Sequence, residues 1–239
     1  MKPFLTAVTL ILSLNIVTAQ KRLSKEISTK TFDITSFSAL NVSDDFKVNI
    51  TFSPTAEPIV VRANKNLMEF VNVSLDGNTL ILDVNSNNVS NWWTGKEVLE
   101  ADIVVPMIKA FTISGDAIVN TSGTLKTSSL SLNVKSDGVF KGNIDVDSLT
   151  LNGKSDAEIF ISGSASTMNA ALKSDAELHS KDFTVGDLVI NMASDAEARI
   201  NVTNTIDAYA TGDSELNYSG NPKVIRQKAT GDAEINARG

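Results

Sequence analysis

The chain of 239 residues carries 28 acidic and 21 basic side chains, a net charge of −7. That balance repels phosphate backbones, so nucleic acid is excluded as a partner, and it disfavours anionic membrane surfaces. Cysteine is absent and His179 is the single histidine, which excludes disulfides, thiolate catalysis and cysteine- or multi-histidine-ligated metals.

The chain opens with a basic Lys2, an apolar stretch from Phe4 to Ile16, and small residues in Val17-Thr18-Ala19. Residues 1–19 read as a secretory signal peptide cleaved before Gln20, which predicts export to the periplasm, the outer surface or the medium. No cysteine follows the cleavage point to carry a lipid, and no second apolar run reaches membrane-spanning length. Residues 20–30 are polar and predict a flexible lead-in.

Residues 31–110 read as a β-rich half. Phe46, Val48, Ile50 and Phe52 alternate with Lys47, Asn49 and Thr51, the pattern of a half-buried strand. Ile59-Val60-Val61 reads as a buried strand, and Asn64 to Phe70 predicts a capped helical turn. Asp76-Gly77 between Val71–Leu75 and Leu80–Val84 predicts a hairpin. Ile103-Val104-Val105 ends at Pro106, which suits a strand terminus. The polar segment from Asn85 to Gly95 carries Trp92 and Trp93, a pair suited either to stacking on sugar rings or to capping the hydrophobic core.

From residue 111 onward a motif of Ser or Gly, Asp, and a small residue recurs at Asp116, Asp137, Asp156, Asp175, Asp195, Asp213 and Asp232. The near-constant period of about 20, without a helical pattern, predicts a β-solenoid over residues 111–239. Counted from each Asp, offsets −7, −5, −3 and +3 are mostly apolar, as in Leu130, Leu132, Val134 and Phe140, so odd offsets are expected to face inward. The small residues at −1 and +1 then read as inward positions where the walls of a flattened coil converge. Glu recurs at +2 and Lys135, Lys154 and Lys173 lie at −2.

The order of these features resembles the autotransporter-adhesin head family, the GIN-domain proteins of Bacteroidetes. The resemblance rests on the leader, Phe46-Lys47-Val48-Asn49-Ile50, Asn66-Leu67 before Val71-Asn72-Val73, Asp76-Gly77-Asn78-Thr79-Leu80-Ile81-Leu82 and the repeated Ser/Gly-Asp-Ala, and covers nearly all of the mature chain. It implies an all-β, right-handed parallel β-helix, export and an adhesive role, and it brings no catalytic residues.

Stacked at roughly 4.8 Å, neighbouring carboxylates of the Asp series repel by about 0.9 kcal/mol in water. Three readings of this ladder stay open. Each Asp accepts hydrogen bonds from backbone N–H groups or the −1 Ser at the bend, calcium bridges adjacent coils, or the row binds a glycan or does acid–base chemistry. His179, at +4, reads as a solvated surface residue. The coils look too uniform to hold a site, so a break in the repeat is expected around Asn85 to Gly95. The function that follows is a non-enzymatic, adhesin-like surface or envelope protein that holds a glycan or another protein, with no cofactor beyond the calcium option. The alternative is a polysaccharide lyase or hydrolase on a β-helix.

Overall fold

The computed structural model describes residues 22–85 and 94–238. The signal-peptide reading and the Trp92–Trp93 pair lie outside these residues. Among the described residues there is no helix, and the strands form one continuous sheet wound into a solenoid of about seven turns with about 19 residues per turn.

In chain order the strands are β1 (Ile27–Phe32), β2 (Ala39–Val42), β3 (Lys47–Phe52), β4 (Ile59–Asn64), β5 (Val71–Asp76), β6 (Thr79–Val84), β7 (Leu99–Val105) and β8 (Ala110–Ile113). The coils follow as β9 (Ile118–Lys135), β10 (Val139–Lys154), β11 (Glu158–Lys173), β12 (Glu177–Ser194) and β13 (Glu197–Gly212). The last turn is split into β14 (Glu215–Ser219), β15 (Lys223–Gly231) and β16 (Glu234–Ala237). Each of β9 to β12 pairs in parallel with its successor, and equivalent motif positions fall in register: Val139 pairs Glu158, Glu158 pairs Glu177, and Glu177 pairs Glu197.

The core follows from the alternation. Leu132, Leu151, Ala170, Ile190 and Ala208, all at −5, stack through the buried interior, and Phe140, Ile159 and Leu178 stack at +3. The +1 position is also inward: Ala117, Ala157, Ala176 and Ala196 are fully buried. The −1 position is not. Ser136, Ser155, Ser174 and Ser194 adopt φ of 56°, 62°, 60° and 63°, and Gly115, Gly212 and Gly231 share this left-handed region. A small residue is required there because the chain turns its corner through a left-handed conformation that a bulky side chain resists, not because it faces a narrowing core.

The N-terminal half extends the same stack. β2 pairs in parallel with β8, and β3 with β9, so Asp44 (φ 60°) sits over Gly115 and Asp45 falls in register with Asp116. Asp44-Asp45-Phe46 is thus a further rung of the corner series, with Phe46 fully buried at the inward position. β6 and β7 make the rung beyond it, pairing in parallel with β2 and β3. Antiparallel β5 and β4, with β1 on the edge of β4, close that end.

Two expectations are corrected here. Residues 22–30 are held rather than loose: Leu23 is buried, the Ser24 N–H donates to Asn66 Oδ1 at 2.9 Å, and β1 pairs along β4. Residues 65–70 make hydrogen-bonded turns, not a helix. The Asn64 side chain that was expected to cap them is buried and ties three segments together. Its Nδ2 donates to the Ser24 and Lys96 carbonyls, and its Oδ1 accepts from the Val98 N–H. The Asp76-Gly77 hairpin is present, with Asp76 paired to Thr79 and Gly77 at φ 57°.

Candidate functional site

The seven motif aspartates line one corner of the solenoid on successive rungs, flanked by register pairs such as Lys154 with Lys173 and Glu158 with Glu177. All seven are exposed, and among the described residues none of their carboxylates takes part in a hydrogen bond or ion pair. The expected anchoring of each Asp to backbone N–H groups is therefore replaced by something simpler. The corner is held by the backbone itself: the Glu158 N–H donates to the Gly138 carbonyl, Glu177 to Ala157, Glu197 to Ala176 and Glu215 to Ala196, at 2.9–3.0 Å. Exposure to water keeps the repulsion along the row small. Among the described residues no three carboxylate or imidazole groups converge as a metal site would need.

The break expected around Asn85 to Gly95 falls largely outside the described residues, but the coils themselves are not uniform. At +4 the residues on successive rungs are Asn120, Lys141, Phe160, His179, Arg199 and Asn217, each the register partner of the next. No two consecutive side chains are alike until the terminal Asn217 and Asn236, while the +2 column beside it is Glu on five consecutive rungs, Glu158, Glu177, Glu197, Glu215 and Glu234. Reading the sequence down this offset shows the variety, which motif matching around the Asp conceals.

This column lines an open groove of about 940 Å³. Bulges re-aim the strand just past it. Register shifts occur between Lys141 and Asn143, Phe160 and Gly163, and Ser180 and Thr184. Gly163 is needed there, because at φ 104° an added Cβ would come within 2.1 Å of the Ile144 carbonyl oxygen. Ile161, Ile200 and Tyr218 form the floor and are only 4%, 3% and 5% exposed, and the accessible lining mixes polar and apolar surface.

Three side chains of the column are in contact. The His179 ring stacks on Phe160 with centroids 4.4 Å apart and planes 12° from parallel. The Lys141 ammonium lies 4.8 Å from the Phe160 centroid, and His179 Nε2 is 2.9 Å from a Glu177 carboxylate oxygen. His179 is thus a structured member of the groove wall, not a lone solvated residue. Arg238 reaches in from the last rung, donating to Asn217 Oδ1 at 2.7 Å with Glu215 at 3.8 Å. The side chains of Arg199, Lys181 and Asp182 have no polar partner among the described residues. Below the rim, Thr121 Oγ1 is buried without a hydrogen-bond partner beside Gly142.

Toward the N-terminal end the column continues through Asn49 to Asp102 and turns acidic. Arg62 bridges Glu100 and Asp102 there. Burial alone would raise Asp102, but hydrogen bonds from Arg62 and Asn49, with the Arg62 charge, outweigh it and hold the carboxyl below the usual range. Glu97, nearby, is pushed up by burial and then by the charges of Asp45 and Asp44, against a smaller opposing pull from Lys47.

Residues 36–222 match the family described as "Putative auto-transporter adhesin, head GIN domain". No protein with a curated description matches the chain. Among solved structures, a "putative adhesin" from Bacteroides fragilis NCTC 9343 superposes with a TM-score of 0.83 at 17% identity, covering 91% of this chain and 99% of its own. A "putative lipid binding protein" from Parabacteroides distasonis ATCC 8503 gives 0.71 at 19% identity, covering 91% and 99%. A "putative adhesin" from Parabacteroides merdae ATCC 43184 gives 0.68 at 18% identity, covering 91% and 98%. At these identities the likeness speaks to the fold.

Proposed function

Since the chain belongs to the auto-transporter adhesin head GIN-domain family, we propose that it is an exported, non-enzymatic binding protein of the cell surface or envelope, which holds a glycan or another protein on the groove face of its solenoid. The observation that carries this reading is the +4 column. Consecutive rungs of this column differ, and they present Lys141, Phe160, His179 and Arg199 along one open groove. Varied cationic, aromatic and polar side chains gathered in a concave groove suit recognition. Export rests on the tripartite leader, Lys2, Phe4–Ile16 and Val17-Thr18-Ala19, and on the family. Among the described residues no helix is long and apolar enough to cross a membrane.

A carbohydrate-active enzyme is the second reading, favoured by unpartnered Arg199 and Lys181 in a groove beside His179. Hydrolysis needs two carboxylates flanking one bond, and Asp182 is the one carboxylate in the lining. A screen of glycans and host-matrix proteins for binding, run beside a polysaccharide-degradation screen, separates the two. Specific binding without turnover is the expected result. Turnover that a single groove substitution abolishes would make the protein an enzyme, and silence in both arms would remove the binding reading.

A further inference from the structure

We propose that the groove is a site for an acidic polysaccharide, one bearing carboxylate or sulfate groups, with Arg199 and Lys181 as its principal anion contacts. The inference rests on the binding reading above and names the ligand class. The first support is shape. The lining runs across the rungs from Asn120 to Asn217, five intervals of roughly 4.8 Å and so about 24 Å of open trough. That suits several units of an extended polymer better than one compact molecule.

The second support is charge. The protein as a whole carries −7, yet the lining of this groove holds Lys141, Lys181, Arg199 and Arg238 against Asp182 alone. Their states differ. Lys141 is engaged over Phe160, and Arg238 is engaged by Asn217 and Glu215. Arg199 and Lys181 are uncommitted, and a guanidinium offers a carboxylate or sulfate two parallel N–H donors. The Glu row at +2 lies beside the +4 column, outside the groove lining. Glu177 and Glu215 on it are partnered, while the side chains of Glu158 and Glu197 have no polar partner among the described residues.

The third support is the rest of the lining. Amides and hydroxyls, such as Asn120, Asn143, Ser162 and Ser219, both donate and accept, as sugar hydroxyls require. The faces of Phe160 are already taken by its neighbours on the adjoining rungs, so Phe160 and His179 act as a rigid wall and not as a stacking platform.

The test measures binding of the full mature chain to a sulfated glycosaminoglycan, to hyaluronate, to polygalacturonate, to neutral dextran and to anionic phospholipid vesicles. Expected is binding to one or more acidic polysaccharides that weakens with added salt. Arg199→Glu and Lys181→Glu should each lower affinity by roughly tenfold or more, as loss of a charged hydrogen bond implies. Lys109→Glu, on an exposed residue outside the groove, should leave it within about twofold of wild type, near the scatter of an ordinary surface change. Unchanged thermal unfolding of the variants shows that the fold is intact. Equal binding to dextran, insensitivity to Arg199→Glu, or equal loss with Lys109→Glu would overturn the ligand class while leaving a binding protein. Binding to vesicles alone would replace the saccharide by a lipid surface. No binding to any glycan or matrix protein would remove the underlying reading as well.

Discussion

The imidazole of His179 lies 4.4 Å from the ring of Phe160 and 12° from parallel to it, because both occupy the same offset from their corner on adjacent rungs. A parallel solenoid places equivalent positions in contact, so a chemical difference between two repeats becomes a specific pair rather than two isolated residues. Lys141 extends the pair from the preceding rung and Glu177 ties the imidazole from its own strand.

That stack should be measurable as a coupling. A double-mutant cycle with Phe160→Ala and His179→Ala, read by urea unfolding, is expected to return about 0.5–1.5 kcal/mol of interaction. Additive single effects would mean that the rings are neighbours without being partners.

Two aspartates at equivalent-looking corners should behave oppositely. Asp44 accepts from the Val84 N–H at 2.8 Å and from the Ser43 hydroxyl at 3.0 Å, joining the first two rungs. Asp44→Ala strands that N–H and is expected to cost about 1–3 kcal/mol. Asp175 is exposed and its carboxylate has no polar partner among the described residues. Asp175→Ala should fall within about 0.5 kcal/mol of wild type, helped by relief of repulsion along the row. A cost above that for Asp175 would show that the row contributes to the fold after all, and repeating the melts with a chelator would reveal whether a cation is responsible.

The solenoid was legible because its signal is periodic. Seven corners, apolar −5 and +3 positions and a recurrent Glu at +2 all point to one geometry. The rung at Asp44-Asp45-Phe46 was not legible. There an Asp takes the left-handed position and a Phe takes the place of the usual Ala, so only the pairing of β2 with β8 and β3 with β9 reveals it. Residues 22–30 read as loose because their composition is polar, yet Asn64 and Asn66 hold them through long-range side-chain bonds that no local pattern encodes. The groove was hidden for a different reason. Its residues lie one per repeat, about 19 apart, and have significance only once the register aligns them.

The corner serines offer a backbone test. Ser174 pays the cost of a left-handed conformation at φ 60°. A β-branched side chain tolerates that region poorly, so Ser174→Val should destabilise by about 1–2 kcal/mol. Ser174→Gly removes the same strain but adds freedom to the unfolded chain, and the net change should stay within about 1 kcal/mol, of either sign. Thermal melts decide it. A Val variant as stable as the Gly variant would mean that some other constraint selects Ser at this corner.

The N-terminal rung should make stability depend on pH through two carboxyls that pull in opposite directions. Asp102 is held below its ordinary value of 3.8. Its folded form binds a proton less readily than its unfolded form, so its contribution is fully present above 3.8 and is lost as pH falls through the lower folded value. Glu97 is raised above 4.5, chiefly by burial and then by Asp45 and Asp44. Here the folded form binds the proton more readily, so a penalty sets in as pH rises from 4.5 through the folded value and persists at neutrality. Two substitutions separate the effects. Asp102→Asn should lower the melting temperature at neutral pH, and its deficit should shrink as the medium is acidified below 3.8. Glu97→Gln should raise the melting temperature at neutral pH and lose that advantage near pH 4, where the wild-type side chain is itself protonated in the fold. Both partners of Asp102 are partly exposed, so added salt should diminish the Asp102 effect, while the burial share of the Glu97 penalty should persist. A Glu97→Gln variant less stable than wild type at neutral pH would show that the carboxylate is paired rather than penalised, and that the acidic end of the column is held together in some other way.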